Sequence, residues 1–525
     1  MTDKLITAVQ RIAQEEAETE AEVRKIKRSV AKTFGGPVPS NAELLATYLG
    51  LLGEGKMEAN TKLEHLFRTS QVRSLSGVAV ITVLTKPYGC PGRCVYCPTE
   101  ARMPKSYLAN EPAAARALGQ DFDPYKQVKV RLEALRVNGH VTDKCELIVL
   151  GGTWTAYPKD YQEWFLQRCY DAFNQMDSTS LDEAKTKNET ADHRVIGLTL
   201  ETRPDHVTQE EVVHMRWLGT TRVQLGIQST NSEVLKLNKR NETREQQIAA
   251  TRLLKEAGFK ITHHLMQGLP GATVESDVQT AWDVFQAPDY QPDHVKIYPC
   301  VVIKTAELYT WWKEGKYKPY TTEQLQQLLI EVKKLIPPYV RIERLIRDIP
   351  AESILAGNMT TNLRQLLKEK GVECQCLRCR EPRARTVTAD QVVLVTREYE
   401  ASGGRELFLS FESPDKSICY AFCRLRLQDA KEHWMPVLKD AAIVRELHTY
   451  GKLVPMGGEH NGAAQHQGFG KRLMAEAERI AQQAGYKKIA VIAGVGVREY
   501  FKKNGYNLED EYMVKRLGKI DPKLD

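Results

Sequence analysis

Three cysteines within eight residues, Cys90, Cys94 and Cys97 of KPYGCPGRCVYCP, are the most chemically specific feature of this chain. Their Cys-x3-Cys-x2-Cys spacing follows an apolar stretch, VAVITVL (78–84), that reads as a strand, and the intervening Pro and Gly residues let the loop curl. Three thiolates so arranged hold three corners of a cubane 4Fe-4S cluster and leave the fourth iron without a protein ligand. An open iron of this kind takes the amino and carboxylate groups of S-adenosylmethionine and delivers one electron to its sulfonium, which releases a 5′-deoxyadenosyl radical. A structural zinc would ordinarily draw all four ligands from protein. Clustered thiols in odd number, in a chain expected to be cytoplasmic, do not suit disulfides. Tyr96, just before the last cysteine, is placed to pack against an adenine.

Two further sets of residues have chemical potential. Cys374, Cys376 and Cys379 form a second cluster, CQCLRC, in a basic segment. Three thiolates there suit a zinc ion that pins a segment with little core of its own, although no nearby residue stands out as a fourth ligand. Gln465-His-Gln-Gly468-Phe469-Gly470 leads into an amphipathic pattern with Leu473, Ala477 and Ile480 on one face. Glycines at such a turn let the N–H groups of a helix N-terminus approach a pyrophosphate, and Lys471 and Arg472 add positive charge. The other five cysteines (Cys145, Cys169, Cys300, Cys419, Cys423) lie mostly in apolar patterns and are expected to be buried packing groups.

The elements that must position these residues follow from periodicity. Residues 1–75 read as a basic helical region, with SNAELLATYLG starting at a Ser40 or Asn41 cap. Within 76–336, six apolar strands (78–84, 145–152, 195–202, 222–229, 260–268 and 294–299) alternate with amphipathic helices. That alternation means βα units and a parallel sheet, arranged as a partial TIM-like (β/α)6 barrel or a doubly wound sheet. Several strands end in polar or glycine-rich sequence (GGT, ETRPD, GIQS, HHLMQGLPG), and the C-terminal strand ends are where α/β barrels build active sites. Residues 337–385 read as a connector, and 386–525 as a second α/β unit.

A chain of 525 residues exceeds one ordinary core. Its 42% hydrophobic and 27% charged residues are those of a globular protein. No apolar run approaches a membrane span, and the first residues lack a signal-peptide core, so a cytoplasmic protein is expected. The net charge of +7 is mild, so clustering matters more. Arg24, Lys25, Lys27, Arg28 and Lys32 share one helix, and seven basic residues (Arg364, Lys368, Lys370, Arg378, Arg380, Arg383, Arg385) crowd the connector. Flanking a barrel mouth, such runs suit the phosphates of a folded RNA.

The cysteine loop in its strand context resembles the radical S-adenosylmethionine superfamily, and the glycine turn between two β–α patterns resembles GNAT acetyltransferases. Both on one chain, with VLGGTWTAYP, ETRPD, VRELHTYG, QHQGFGKRLM and VREYFKKNGY, resemble one family: the catalytic (third) subunit of Elongator and its single-chain archaeal and bacterial relatives. The resemblance implies a tRNA wobble-uridine modification at the anticodon stem-loop. A radical formed on the methyl of acetyl-coenzyme A adds to C5 of the uridine, and thioester hydrolysis leaves 5-carboxymethyluridine. It implies that Gly151, Gly152 and Thr153 receive the methionine end of S-adenosylmethionine, and that Gln228 and Ser229 contact its ribose or carboxylate. Acetyl-coenzyme A contacts fall on Lys144, Glu446, Leu447, His448, Thr449, Gln465, Gly468, Phe469, Gly470 and Lys471, with Lys144, His448 and Tyr500 as the catalytic candidates. Phe501 stands where the family usually has a second tyrosine. A homodimer is compatible with this reading, and partner subunits are not legible. The alternatives are a protein lysine acetyltransferase with a non-catalytic barrel, a tRNA-binding scaffold without activity, and another radical enzyme that borrows the barrel.

Overall fold

The computed structural model describes residues 2–68, 77–383, 391–428, 432–450 and 468–518. Seven parallel strands form the first sheet: β1 (Ala79–Leu84), β2 (Lys144–Leu150), β3 (Arg194–Thr202), β4 (Arg222–Gln228), β5 (Lys260–Gln267), β6 (His294–Pro299) and β8 (Arg341–Arg344). β7 (Val302–Ile303) pairs antiparallel with β9 (Ile354–Ala356) beside it. The six strands read from sequence are all present, in order, as an open half-barrel. The seventh, β8, comes from the stretch read as connector, because RIER is too short and too charged to register as a strand by pattern. Its charges are satisfied inside the sheet: Glu343 pairs with Arg222 at 2.9 Å and with His294 at 2.7 Å.

The amino-terminal helices α1 (Asp3–Gln14), α2 (Glu20–Phe34), α3 (Asn41–Gly53) and α4 (Thr61–Phe67) enclose a small core around Val9, Ile12, Val23, Tyr48 and Phe67. Capping boxes start two of them, Thr19 with Glu22 and Ser40 with Glu43, each satisfying otherwise orphaned backbone N–H groups.

The second sheet runs β10 (Val393–Ala401), β11 (Gly404–Glu412), β12 (Cys419–Leu427), β13 (Ala441–Thr449), β14 (Lys488–Val491), β16 (Tyr512–Arg516) and β15 (Asn507–Glu509). All its pairings are antiparallel except β13 with β14. Their register stops at Val444 and Val491, while β13 continues to Thr449, so the sheet opens into a notch. Both faces of this sheet are covered. Leu409, Phe411 and Cys423 pack on the helix Phe469–Gln483, whereas Phe408, Phe422 and Ile443 join the barrel's own core. Hence β12, CYAFCRLRL, is buried at every position.

Burying Arg424, Arg426 and Arg445 requires partners, since an unpaired interior charge is costly. Asp293, at the start of β6, supplies the central one. Arg445 holds it at 2.6 Å and also reaches Glu406 at 2.9 Å. Arg424 stands 3.5 Å from Asp293 and bonds Glu446 at 2.8 Å. Backbones also meet closely: a Cβ on Gly494 would lie 2.1 Å from the Ile196 carbonyl oxygen, and one on Gly496 would lie 2.5 Å from the Arg194 Cβ. The contacts fall on strand beginnings (Arg194, Lys260, Asp293, Arg341), so the second sheet closes the amino-terminal end of the barrel.

The surrounding guanidinium and ammonium groups, Arg445 foremost among them, hold the Asp293 carboxyl well below its ordinary range against a burial that pushes it up. Removing it leaves Arg445, Arg424 and Lys255 without their shared anion. Asp293→Ala is expected to lower stability by about 3–5 kcal/mol, read from denaturant unfolding, whereas Lys56→Ala, at an exposed pair, should change it by less than about 1 kcal/mol.

Candidate functional site

A cavity of about 440 Å³ runs inside the half-barrel from the cysteine loop down to Val80, near the start of β1. Strand alternation decides what lines it: along β4, Gln224, Gly226 and Gln228 face the lumen while Val223, Leu225 and Ile227 face the helices. Cys90, Cys94 and Cys97 close its upper end. Cys94 lies 3.7 Å from Arg240 Nη1 and 3.9 Å from Arg203 Nη1, so two guanidinium groups face the thiol that would carry negative charge. Burial pushes the Cys97 thiol up to about 11. Among the described residues, Cys374, Cys376 and Cys379 bring their sulfurs within 4.8 Å of one another, as one ion requires. The three loop thiols line one end of the cavity together, and three thiolates are the donors such a cluster takes. The donor set therefore fits a 4Fe-4S group.

The predicted cofactor contacts are placed as follows. Gly151 has φ +146°, and a Cβ there would sit 1.8 Å from Thr85 Oγ1, so glycine alone fits without displacing a neighbour. Gly152 and Thr153 line the cavity, and Thr153 Oγ1 is 3.8 Å from Cys90 Sγ. Tyr96 also lines it, its hydroxyl accepting from Arg240 Nη1 at 3.3 Å. Gln228 lies in the lumen with a strained φ of +66° and an Oε1 that has no hydrogen-bond partner among the described residues. Ser229 does not reach the cavity; its hydroxyl accepts from the Asn231 N–H at 3.2 Å and pairs with Thr280 at 3.3 Å.

The second group of predicted residues divides by strand alternation. On the helix-facing side of β13, Leu447 and Thr449 converge with Gly470 and Tyr500: a Cβ on Gly470 would meet Tyr500 Oη at 3.5 Å, Thr449 Oγ1 at 3.8 Å and Leu447 Cδ2 at 3.9 Å. Gly468, with φ +71°, caps the helix that follows, and Lys471 is exposed on it. On the opposite side, Glu446 and His448 turn toward the barrel. Glu446 is 3.5 Å from Lys260 and bonds Arg424, and the His448 ring stacks on Phe422 at 5.4 Å. Burial holds the His448 imidazole down to about 4, so it is neutral near pH 7. Phe469 is wholly buried against Phe411 and so belongs to the core. Phe501 is buried as well, beside Tyr506. Gln465 and Arg385 lie outside the described residues. Lys144 begins β2, and Gly151 follows that strand's other end. At roughly 3.3 Å per residue the two are about 20 Å apart, so they cannot meet one ligand atom together.

Several lumen residues were not expected from sequence: Glu201, Arg203, Gln224, Arg240, His264 and Lys296. The polar–apolar alternation of RVQLGIQ and the ETRPD stretch carried that signal for Gln224, Glu201 and Arg203; nothing local marks Arg240 or Lys296.

The radical SAM superfamily model matches residues 84–281, and the Radical_SAM C-terminal domain model matches residues 292–371. The tRNA uridine(34) acetyltransferase of Methanocaldococcus infernus is 43% identical over 498 residues, which cover 91% of this chain and 92% of that protein. Elongator complex protein 3 of Homo sapiens is 38% identical over 470 residues, 86% of each chain. The solved structure of the archaeal M. infernus Elp3 with an N-terminal deletion (1–46) superposes with a TM-score of 0.74 at 41% identity, covering 84% of this chain and all of that one. The chain belongs to the Elongator complex protein 3 family. Membership of this radical SAM family implies a 4Fe-4S cluster and S-adenosylmethionine, in keeping with the upper end of the lumen.

A side chain at Gly151 must displace Thr85 or twist the turn, at a strain of order 1–3 kcal/mol. Gly151→Ala is therefore expected to weaken S-adenosylmethionine binding by about tenfold or more in equilibrium dialysis, with bound iron unchanged by chemical analysis.

Proposed function

We propose that this protein carries the acetyl carbon of acetyl-coenzyme A to C5 of the wobble uridine of tRNA, as a 5-carboxymethyluridine synthase of the radical S-adenosylmethionine class. One observation carries the reading. The cysteine-lined lumen and the notch beside Thr449, Gly470 and Tyr500 belong to one body, joined by a buried ionic interface that leaves neither free to act apart. The relatives' shared name, tRNA uridine(34) acetyltransferase, supports the substrate. When bound, the cluster and S-adenosylmethionine supply one-electron chemistry at the top of the barrel. Cys90, Cys94 and Cys97 hold the cluster, and Gly151, Gly152 and Thr153 the methionine end. Leu447, Thr449, Gly468, Gly470, Lys471 and Tyr500 hold acetyl-coenzyme A, the Tyr500 hydroxyl standing beside Gly470. His448 and Glu446 act as a neutral ring and a paired carboxylate on the barrel side, and Lys144 belongs to the barrel floor.

Cys374, Cys376 and Cys379 hold a structural zinc. Their segment sits on β8, where Leu377 N–H donates to the Val340 carbonyl, and neighbouring Arg380 donates to the carbonyls of Pro338 and Lys416. Arg380 also pairs with Glu412 at 3.0 Å and so fastens the barrel to the second sheet, which removes it from the surface charge expected of it. Arg364 likewise turns inward to the Ile342 carbonyl at 2.9 Å. The tRNA phosphates are met by the exposed remainder, Lys368, Lys370, Arg378 and Arg383, and by Arg24, Lys25, Arg28 and Lys32 of α2. Lys27 is half-buried and bonds Asn41 at 2.7 Å. No described helix is long and apolar enough to cross a membrane, and action on tRNA suits the cytoplasm.

Acetyl-coenzyme A deuterated on its methyl tests the shared acetyl group. Deuterium should appear in 5′-deoxyadenosine when tRNA is present, and Gly470→Glu, which fills the notch, should suppress that transfer while the iron content holds. Unlabelled 5′-deoxyadenosine would favour another radical enzyme that borrows the barrel, and no 5′-deoxyadenosine at all the lysine acetyltransferase alternative. For the tRNA surface, reversing Arg24, Lys25 and Arg28 to Glu should weaken binding and flatten the slope of log K against log salt by roughly 2. An unchanged slope would leave α2 a solvated face.

A further inference from the structure

The short helix Arg498–Lys502 carries Tyr500, and one carboxylate of the barrel holds both of its ends. Glu189, directly after the barrel helix Leu181–Asn188, is buried, and its two oxygens divide between two cations of the second domain. Oε1 pairs with Arg498 at 3.2 Å and Oε2 with Lys502 at 2.6 Å. Residues four apart share a helix face, whereas Tyr500, midway between them, lies on the other side. There the Tyr500 hydroxyl stands at the notch, 3.5 Å from where a Cβ on Gly470 would be. The barrel reaches across twice more beside this clamp. Lys185 donates to Glu511 at 2.8 Å, and Glu511 also pairs with Arg498. Arg216 donates to the Ala493 carbonyl at 2.8 Å. The segment that leads into the helix is itself pressed onto β3 at Gly494 and Gly496.

The buried cluster around Asp293 already fastens the two domains. Glu189 does something more particular: it grips both ends of a helix of five residues, too short to hold its own course by backbone hydrogen bonds alone. Tyr500 is loosely held by its surroundings, being 37% exposed, with its ring meeting Phe501 edge-on at a centroid distance of 5.1 Å. The direction of its side chain therefore follows the direction of the helix. We propose that Glu189 is a positioning residue for the acetyl-coenzyme A site. By fixing Arg498 and Lys502 together it turns the Tyr500 hydroxyl toward Gly470 and Thr449, so that a carboxylate of the radical-generating domain shapes the thioester site of the other. Both oxygens are needed. A glutamine at this position would accept from one of the two cations and turn an N–H toward the other. Glu189 itself makes no contact with the ligand. The assignment rests on the reading of the notch as the acetyl-coenzyme A site.

Acetyl-coenzyme A affinity, measured by isothermal titration calorimetry on the whole chain, tests the clamp. Glu189→Ala should weaken binding by about tenfold, and Glu189→Gln by less, with the affinity for S-adenosylmethionine unchanged. The discriminating measurement is a double-mutant cycle. In a Tyr500→Ala background Glu189→Ala should cost nothing further, because the residue it positions is gone. A carboxylate that merely staples the domains would add its full effect in either background. Should Glu189→Ala unfold before it can be titrated, the same cycle is run with Glu189→Gln, which keeps the packing and one of the two hydrogen bonds. Unchanged acetyl-coenzyme A affinity in the Glu189 variant, no effect of Tyr500→Ala, effects that multiply in the double variant, or an equal loss of S-adenosylmethionine affinity would each overturn the positioning role while leaving the notch as the acetyl-coenzyme A site. A wild-type protein that does not bind acetyl-coenzyme A would instead overturn the reading of the notch itself.

Discussion

Asp293 has no exposed surface, yet it remains ionised between Arg445, Arg424 and Lys255. Desolvating one carboxylate and three cations costs a great deal, and the arrangement persists only because each group has several partners. Arg445 bridges Asp293 and Glu406, and also donates to the Phe259 carbonyl at 2.7 Å; the Asp293 carboxylate accepts the Ile261 N–H at 2.9 Å. Directional partners of this kind admit one relative placement of the two sheets, whereas apolar packing alone tolerates sliding. The close approach of Gly494 and Gly496 to β3 acts in the same sense, since any side chain there would force the sheets apart.

The consequence for chemistry is a single lumen with two differently equipped ends. The upper end gathers thiols, guanidinium groups and glycine turns at the carboxyl ends of the strands, as parallel α/β sheets generally do. The lower end is closed by a second domain. Arg222 spans that floor, reaching Glu146 on β2 and Glu343 on β8. Through Glu343, His294 and Glu446 the polar chain continues into β13, the strand that also carries Leu447 and Thr449. One β-strand thus presents its two faces to two tasks, fastening to the barrel with Arg445 and Glu446 and lining the notch with Leu447 and Thr449.

Buried cysteines illustrate how environment separates chemistry from packing. Cys145, Cys169, Cys300, Cys419 and Cys423 are all buried, and desolvation raises every one of these thiols above its ordinary range. They serve as small apolar groups. The two clustered sets differ by placing several cysteines within a few residues of one another, and the sulfurs of Cys374, Cys376 and Cys379 lie within 4.8 Å of each other.

The sequence by itself determined the six main barrel strands, the order of the domains, the cysteine loop and the glycine turn, because each rests on local periodicity or on spacing within a dozen residues. VAVITVL and HVKIYP are strands whatever surrounds them, and Cys90, Cys94 and Cys97 are near one another by covalent necessity. Tertiary structure alone decided which side chains share a cavity and which face the neighbouring domain. Nothing in VRELHTYG says that Glu446 and His448 turn to the barrel while Leu447 and Thr449 turn to the notch; the bulge beside Arg424 and the docking of the whole sheet settle that. RIER becomes a strand only because Arg222, His294 and Lys296 stand ready to receive Glu343. Lys144 and Gly151 look adjacent in sequence yet occupy opposite ends of a strand. Arg380 and Arg364 read as surface charge until the fold supplies carbonyls for them. In each case the deciding term is an interaction between residues distant in the chain, whose energy no local pattern records.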